Sequence, residues 1–139
     1  MKVSAIVAIQ AALLGVSSAA AVEIRGKTCT ATWTGSNSEG GGGPGQAPIN
    51  NNAWGIDVTG IKKVHQTLKQ TGKNGVIDQH IGDGYNIDTH AQWNYGGNSW
   101  YRCSLKKDGK EHQGKVAKQH ISTGTVSVTT DKCTVTFPC

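Results

Sequence analysis

Four cysteines, Cys29, Cys103, Cys133 and Cys139, constrain this chain more than any other feature, because each crosslink fixes two distant points whatever lies between them. Their redox state follows from the start of the sequence. Lys2 opens a short charged stretch, Val3 to Val16 is apolar, and Ser17 to Ala21 offers small residues for cleavage. This is the pattern of a secretory signal peptide over 1–21, and its apolar part is too short to span a hydrocarbon core of about 30 Å. No other segment is hydrophobic enough to act as a transmembrane span. The remaining 118 residues, 22–139, have the length of one secreted domain and are expected outside the cell.

In that compartment an even number of cysteines reads as two disulfides. Cys133 and Cys139 are six residues apart on an extended-looking segment, which at about 3.3 Å per residue places them beyond bridging distance. Two pairings remain, and the expected one is Cys29 with Cys139, because it ties both ends of the domain, and Cys103 with Cys133, because it staples two predicted neighbouring strands. No Asn-x-Ser/Thr sequon is present.

Alternation from Thr28 to Trp33 puts Cys29, Ala31 and Trp33 on one face, the signature of a half-buried strand. Residues 35–52 are Gly, Ser, Asn and Pro with few apolar side chains, and read as a flexible Gly-rich loop. Pro44 breaks the only formal dinucleotide fingerprint there, and Gly26-Lys27-Thr28 lacks the earlier glycine of a phosphate loop. Ile61, Val64 and Leu68 recur at helical spacing between Thr59, a cap, and Gly72, a terminator, and predict a helix. Val116, Ala117 and Ile121 give a second, weaker helical signal over 111–121. Asn74-Gly75, Gly96-Gly97-Asn98 and Asp108-Gly109 mark turns between short extended pieces, and 125–137 reads as a final hairpin. The expected fold is α+β: an antiparallel sheet with two helices packed on one face, an α/β sandwich closed by two disulfides.

The net charge is +5, or +4 without Lys2, with lysines concentrated in 62–73 and 106–118. Such a field attracts anionic surfaces. The stripe of the predicted helix over 59–72 is narrow enough to be used up by packing on the sheet, which argues against a membrane-surface role.

Chemically able side chains crowd into 80–102. His80 and His90 with Asp83 or Asp88 are metal-ligand types, but their spacing matches no known ligand pattern, so no metal and no cofactor is expected. Val22 as first mature residue excludes copper oxygenases that need an N-terminal histidine. A secreted ribonuclease would need a base, an acid and a cation, and His65, His90, His112, His120, Glu111, Arg102 and the lysines supply the types without a diagnostic arrangement. No Gly-x-Ser-x-Gly elbow exists, and disulfide cysteines cannot be nucleophiles. The expectation is a non-enzymatic protein. Trp93, Tyr95, Trp100 and Tyr101 flank the predicted hairpin tip and, with Arg102, Lys106 and Lys107, form the candidate binding surface. Against this stands the bland reading that two of the four rings fill the core, as Trp33 and Trp54 are expected to do.

The opening Met-Lys-Val-Ser-Ala-Ile-Val-Ala, the small domain and the C-terminal cysteine resemble small secreted proteins of filamentous fungi classed as effectors. The element order and the segment Gly124-Thr125-Val126-Ser127-Val128 before Cys133 are similar to α/β-sandwich killer toxins encoded by fungal viruses. Trp100-Tyr101-Arg102-Cys103 resembles a segment of secreted fungal β-barrel allergens. These resemblances imply a virulence or antimicrobial role. The leading expectation is a secreted effector-like protein that binds a host or competitor protein, a glycan or an anionic cell surface. A killer-toxin-like cytotoxic protein and a secreted ribonuclease, the one reading with a nucleic-acid partner, are the alternatives.

Overall fold

The alternation that begins at Cys29 does not stop at Trp33: Gly35 and Asn37 continue the buried face, and one strand runs to Gly40. The computed structural model describes residues 26–41, 44–45, 49–123 and 126–139, and all the regular structure among them is β. The predicted leader over 1–21 lies outside the described residues. Nine strands follow in order: β1 (Thr28–Gly40), β2 (Ile49–Thr59), β3 (Val64–Leu68), β4 (Val76–Ile81), β5 (Ile87–Asn94), β6 (Ser99–Lys107), β7 (Lys110–Gln113), β8 (Lys115–Thr123) and β9 (Val126–Pro138). They form two antiparallel sheets, β3-β2-β1-β9-β8 and β4-β5-β6-β7. The inner faces of the two sheets enclose one core of Trp33, Ile56, Ile77, Tyr85, Trp93, Leu105 and Phe137 with their smaller neighbours.

The α/β sandwich is thus corrected to an all-β sandwich with no helix among the described residues. The helix expected over 59–72 is the end of β2, a turn, β3 and the start of the next turn. Val64 and Leu68 are buried, but four residues is an even number, so they share a face of a strand as readily as of a helix. Ile61, the third member of the presumed stripe, is 47% exposed. Gly60 adopts φ 132°, which a helix does not allow. The buried Tyr85 hydroxyl then accepts hydrogen bonds from the Ile61 and Lys62 N–H groups, both at 3.1 Å, and donates to the Lys62 carbonyl. The second expected helix is β7, Gly114 and β8, and Val116 is exposed.

Much of the stretch expected as a loop over 35–52 is strand, in β1 and β2. Its small residues have a packing reason. Any side chain at Gly35 would overlap the six-membered ring of Trp93 from the opposite sheet. Asn37 is buried yet donates to Asn52 Oδ1 at 2.9 Å and Asn98 Oδ1 at 2.8 Å, and Asn98 donates in turn to Glu39 Oε1 at 2.8 Å. This chain of amides ties the β5–β6 turn to the five-stranded sheet.

Both expected disulfides are present, Cys29–Cys139 with Cα atoms 5.4 Å apart and Cys103–Cys133 with 6.1 Å. The second joins β6 to β9, so it staples the two sheets rather than neighbouring strands of one sheet. Beside it the chain changes sheets at Gly114, whose N–H donates to the Cys103 carbonyl at 2.8 Å. The two bridges are consistent with an extracellular protein, and no described helix is long and apolar enough to cross a membrane.

Candidate functional site

The four-stranded sheet buries alternate residues, and the others form its outer face. On β4 these are Val76, Asp78 and His80; on β5, Asp88, His90 and Gln92; on β6, Arg102 and Lys106, with the small and buried Ser104 between them; on β7, Glu111 and Gln113. Register sets them in rows across the strands. One row is His80, Asp88, Lys106, Glu111; the next is Asp78, His90, Ser104, Gln113; a third is Val76, Gln92, Arg102.

Within these rows β4 and β5 make two crossed pairs. Asp78 Oδ1 meets His90 Nδ1 at 2.6 Å, and Asp88 Oδ1 meets His80 Nδ1 at 2.7 Å. The crossing arises because both strands carry the same local sequence, Ile77-Asp78-Gln79-His80 and Ile87-Asp88-Thr89-His90, and pair antiparallel about Gln79 and Thr89. Each isoleucine points into the core, which fixes the Asp and His on the other face. A carboxylate on Nδ1 holds the proton there and leaves the Nε2 lone pair of each neutral imidazole available. A third Asp–His pair, Asp57 with His65 at 3.0 Å, lies on the other sheet.

An open depression of about 680 Å³ covers this face, lined by both crossed pairs, Ser104, Lys106 and Glu111. Ser104 is small, which leaves room beside His90. A second groove of about 350 Å³ continues along the same sheet, lined by Asn74, Gln92, Trp93, Asn94, Tyr95, Gly96 and Tyr101. Here β5 and β6 slip register between Gln92 and Trp93, and Tyr101 is the extra residue, turned outward with 69% of its surface exposed. At the turn, Asn94 Oδ1 accepts the N–H groups of Gly96 and Gly97 at 3.0 and 3.3 Å.

The seven residues expected to bind divide between surface and core. Trp93 and Trp100 are 1% and 3% exposed and pack edge to face at 5.1 Å, so their rings belong to the core. Trp33 is fully buried, whereas Trp54 is only partly so. All four indole N–H groups are buried without an acceptor among the described residues. Trp54 packs on Trp93 at 6.2 Å and on Tyr95 at 6.1 Å, carrying the aromatic stack out to the surface. Tyr95 is 44% exposed, and its hydroxyl donates to Gln70 Oε1. Arg102 and Lys106 are exposed on the outer face. Lys107 is turned the other way, its ammonium donating to the Tyr85 carbonyl at 2.9 Å and lying 3.6 Å from Asp108.

Of the ribonuclease candidates, His90 and Glu111 share the depression, Arg102 is in the adjoining row, and His112 packs near Phe137 instead. The side chain of His120 lies outside the described residues. Asp83 occupies the β4–β5 turn at φ 44°. Among the described residues no group of three or more His, Cys, Asp or Glu is placed to hold a metal ion.

The only described group with a clearly displaced pKa is Asp131, on β9. Burial pushes its carboxyl up from 3.8, opposed by the hydrogen bond from the Trp100 N–H and by the Lys118 charge. It serves the sheet-to-sheet contact and lies away from the outer face. No family model, curated protein or solved structure matches the chain.

Proposed function

We propose that this is a secreted protein that acts by binding a host or competitor target, without chemical change to it, through the outer face of the four-stranded sheet. The observation that carries this reading is that two open depressions lie one after the other along β5 of the same sheet. Exposed Tyr101 and Tyr95, the amides of Asn74 and Gln92, and the charged rows share one surface built on paired strands. Rigid backbone under polar and aromatic groups lowers the ordering cost of binding. The disulfides add stability by constraining the unfolded chain.

The test uses fluorescently labelled protein on intact plant, fungal and bacterial cells. Saturable labelling of at least one cell type is expected, reduced by Tyr101→Ala and Arg102→Ala in protein shown by circular dichroism to be folded. Labelling that both variants leave unchanged overturns this face as the contact.

The crossed Asp–His pairs favour a second reading, the secreted ribonuclease. One neutral imidazole could take the proton of an attacking 2′-hydroxyl while the other, protonated, gives one to the leaving 5′-oxygen, with Lys106 beside the phosphate. This reading requires RNA cleavage by the wild type in EDTA, lost in both His80→Ala and His90→Ala; intact RNA refutes it.

A further inference from the structure

The outer face is long and open, and its two depressions follow one another along β5, the first lined by Asp88 to His90 and the second by Gln92 to Asn94. From Asp88 to Asn94 along β5 the surface extends about 20 Å at roughly 3.3 Å per residue. A small molecule is better held by a closed pocket that buries most of its surface. A site of this shape suits an extended chain.

The chemistry of the face selects among chains. Each carboxylate already faces a base: Asp78 is on His90, Asp88 is on His80, and Glu111 stands opposite Lys106 in register. A polyanion would have to lie against three carboxylates, and a polycation against Lys106 and Arg102. Neither gains the one-sided charge complementarity that steers such partners. Lys106, Arg102 and Glu111 make no ion pair among the described residues, and the other groups open to a ligand are the Nε2 atoms of His80 and His90, the Asn74 amide and the ring of Tyr101, the Gln92 amide already donating to the Asn74 carbonyl. A hydroxyl both donates and accepts, so it satisfies each of these polar groups in turn. The faces of Tyr101 and Tyr95 offer flat apolar area at one end, and the ring of Tyr101 has no aromatic partner among the described residues. Alternating hydroxyls and apolar ring faces are the chemistry of a sugar chain.

We propose that this face is a binding site for an uncharged polysaccharide chain, stacked on Tyr101 and Tyr95 and hydrogen-bonded across the crossed Asp–His pairs. This deepens the binding reading given above and rests on it.

The experiment measures retention of the mature, oxidised protein on insoluble β-1,3-glucan, cellulose and chitin, and on immobilised heparin and polyuridylic acid, at 0.15 M and 1 M NaCl. Retention on at least one uncharged polysaccharide is expected, with little change between the two salt concentrations. Tyr101→Ala and His90→Ala are each expected to weaken that retention about tenfold, whereas Lys63→Ala, on the β2–β3 turn, leaves it unchanged. No retention on any uncharged polysaccharide overturns the inference. If heparin or polyuridylic acid alone retains the protein, and Tyr101→Ala weakens that retention, the face is the contact and only the ligand class is wrong. Retention on glucan, cellulose or chitin that neither Tyr101→Ala nor His90→Ala weakens overturns both the ligand assignment and the binding face.

Discussion

The side chain of Asp131, on the five-stranded sheet, accepts the backbone N–H of Trp100, on the four-stranded sheet, at 3.0 Å, and both residues are buried. The other oxygen, Oδ1, has no partner among the described residues. Burial raises the carboxyl's pKa above 3.8. An acid whose pKa rises on folding stabilises the fold in its protonated form; that contribution is complete below the unfolded value and is lost as pH rises through the folded value. Asp131→Asn keeps an oxygen for the Trp100 N–H and carries no charge. It is therefore expected to raise Tm relative to wild type at pH 7, with the difference closing towards pH 3. Asp131→Ala, which orphans a buried donor, is expected to cost about 1–3 kcal/mol. Thermal melts of the three proteins across pH check the sign.

The inter-sheet bridge is covered by the corner at Gly114. A methyl group there would overlap Cys103 Sγ and lie 2.9 Å from Cys133 Sγ. Gly114→Ala is expected to destabilise the oxidised protein by about 1–3 kcal/mol through overpacking. Free-thiol titration beside a denaturant melt distinguishes a strained bridge from one that fails to close; wild-type stability with no free thiol would show that the corner yields.

Tyr85→Phe removes the hydroxyl that holds the β2–β3 turn. Two backbone donors, of Ile61 and Lys62, lose their acceptor. A loss of about 1–3 kcal/mol is expected, with faster amide hydrogen exchange at those two residues. Unchanged exchange at both would mean that Gly60 and its neighbours fix the turn unaided.

The crossed Asp–His pairs are solvent-facing, and exposed ion pairs contribute about 0–1 kcal/mol. Replacing His80 or His90 by Gln is expected to change stability by less than about 1 kcal/mol. A larger loss in chemical denaturation would mark the pairs as structural staples of β4 and β5.

Legibility from sequence was uneven for physical reasons. An extended Cys133–Cys139 segment removed one of three cysteine pairings, and the expectation that a bridge ties the two ends of the domain chose between the other two; turns at Asn74-Gly75 and Asp108-Gly109 were accessible because Asn74, Asp108 and both glycines take positive φ. The β2–β3 region was misread because Val64 and Leu68, four apart, satisfy both helical and strand periods. Residues 35–40 looked too small and polar for a core strand; the Trp93 ring over Gly35 and the amides around Asn37 are long-range facts. Tyr101 and Tyr95 were found as surface aromatics, but Trp93 and Trp100 could not be told from them without the register slip at Gln92. The crossed pairs had a signal that single-residue scanning missed: Ile-Asp-x-His occurs twice, ten residues apart, and an antiparallel hairpin through the turn at 82–86 must cross them.

The four-stranded sheet is a meander drawn from one unbroken stretch, Val76 to Gln113, whereas the other sheet is assembled from segments on both sides of it. Contacts within the meander are local, while β1 must find β9 across almost the whole domain, at a higher closure entropy. The surface proposed to bind is therefore a cassette. Its outward residues can be exchanged by substitutions confined to one continuous segment, without editing the strands that close the sandwich, so recognition can diversify while the closure of the domain stays as it is.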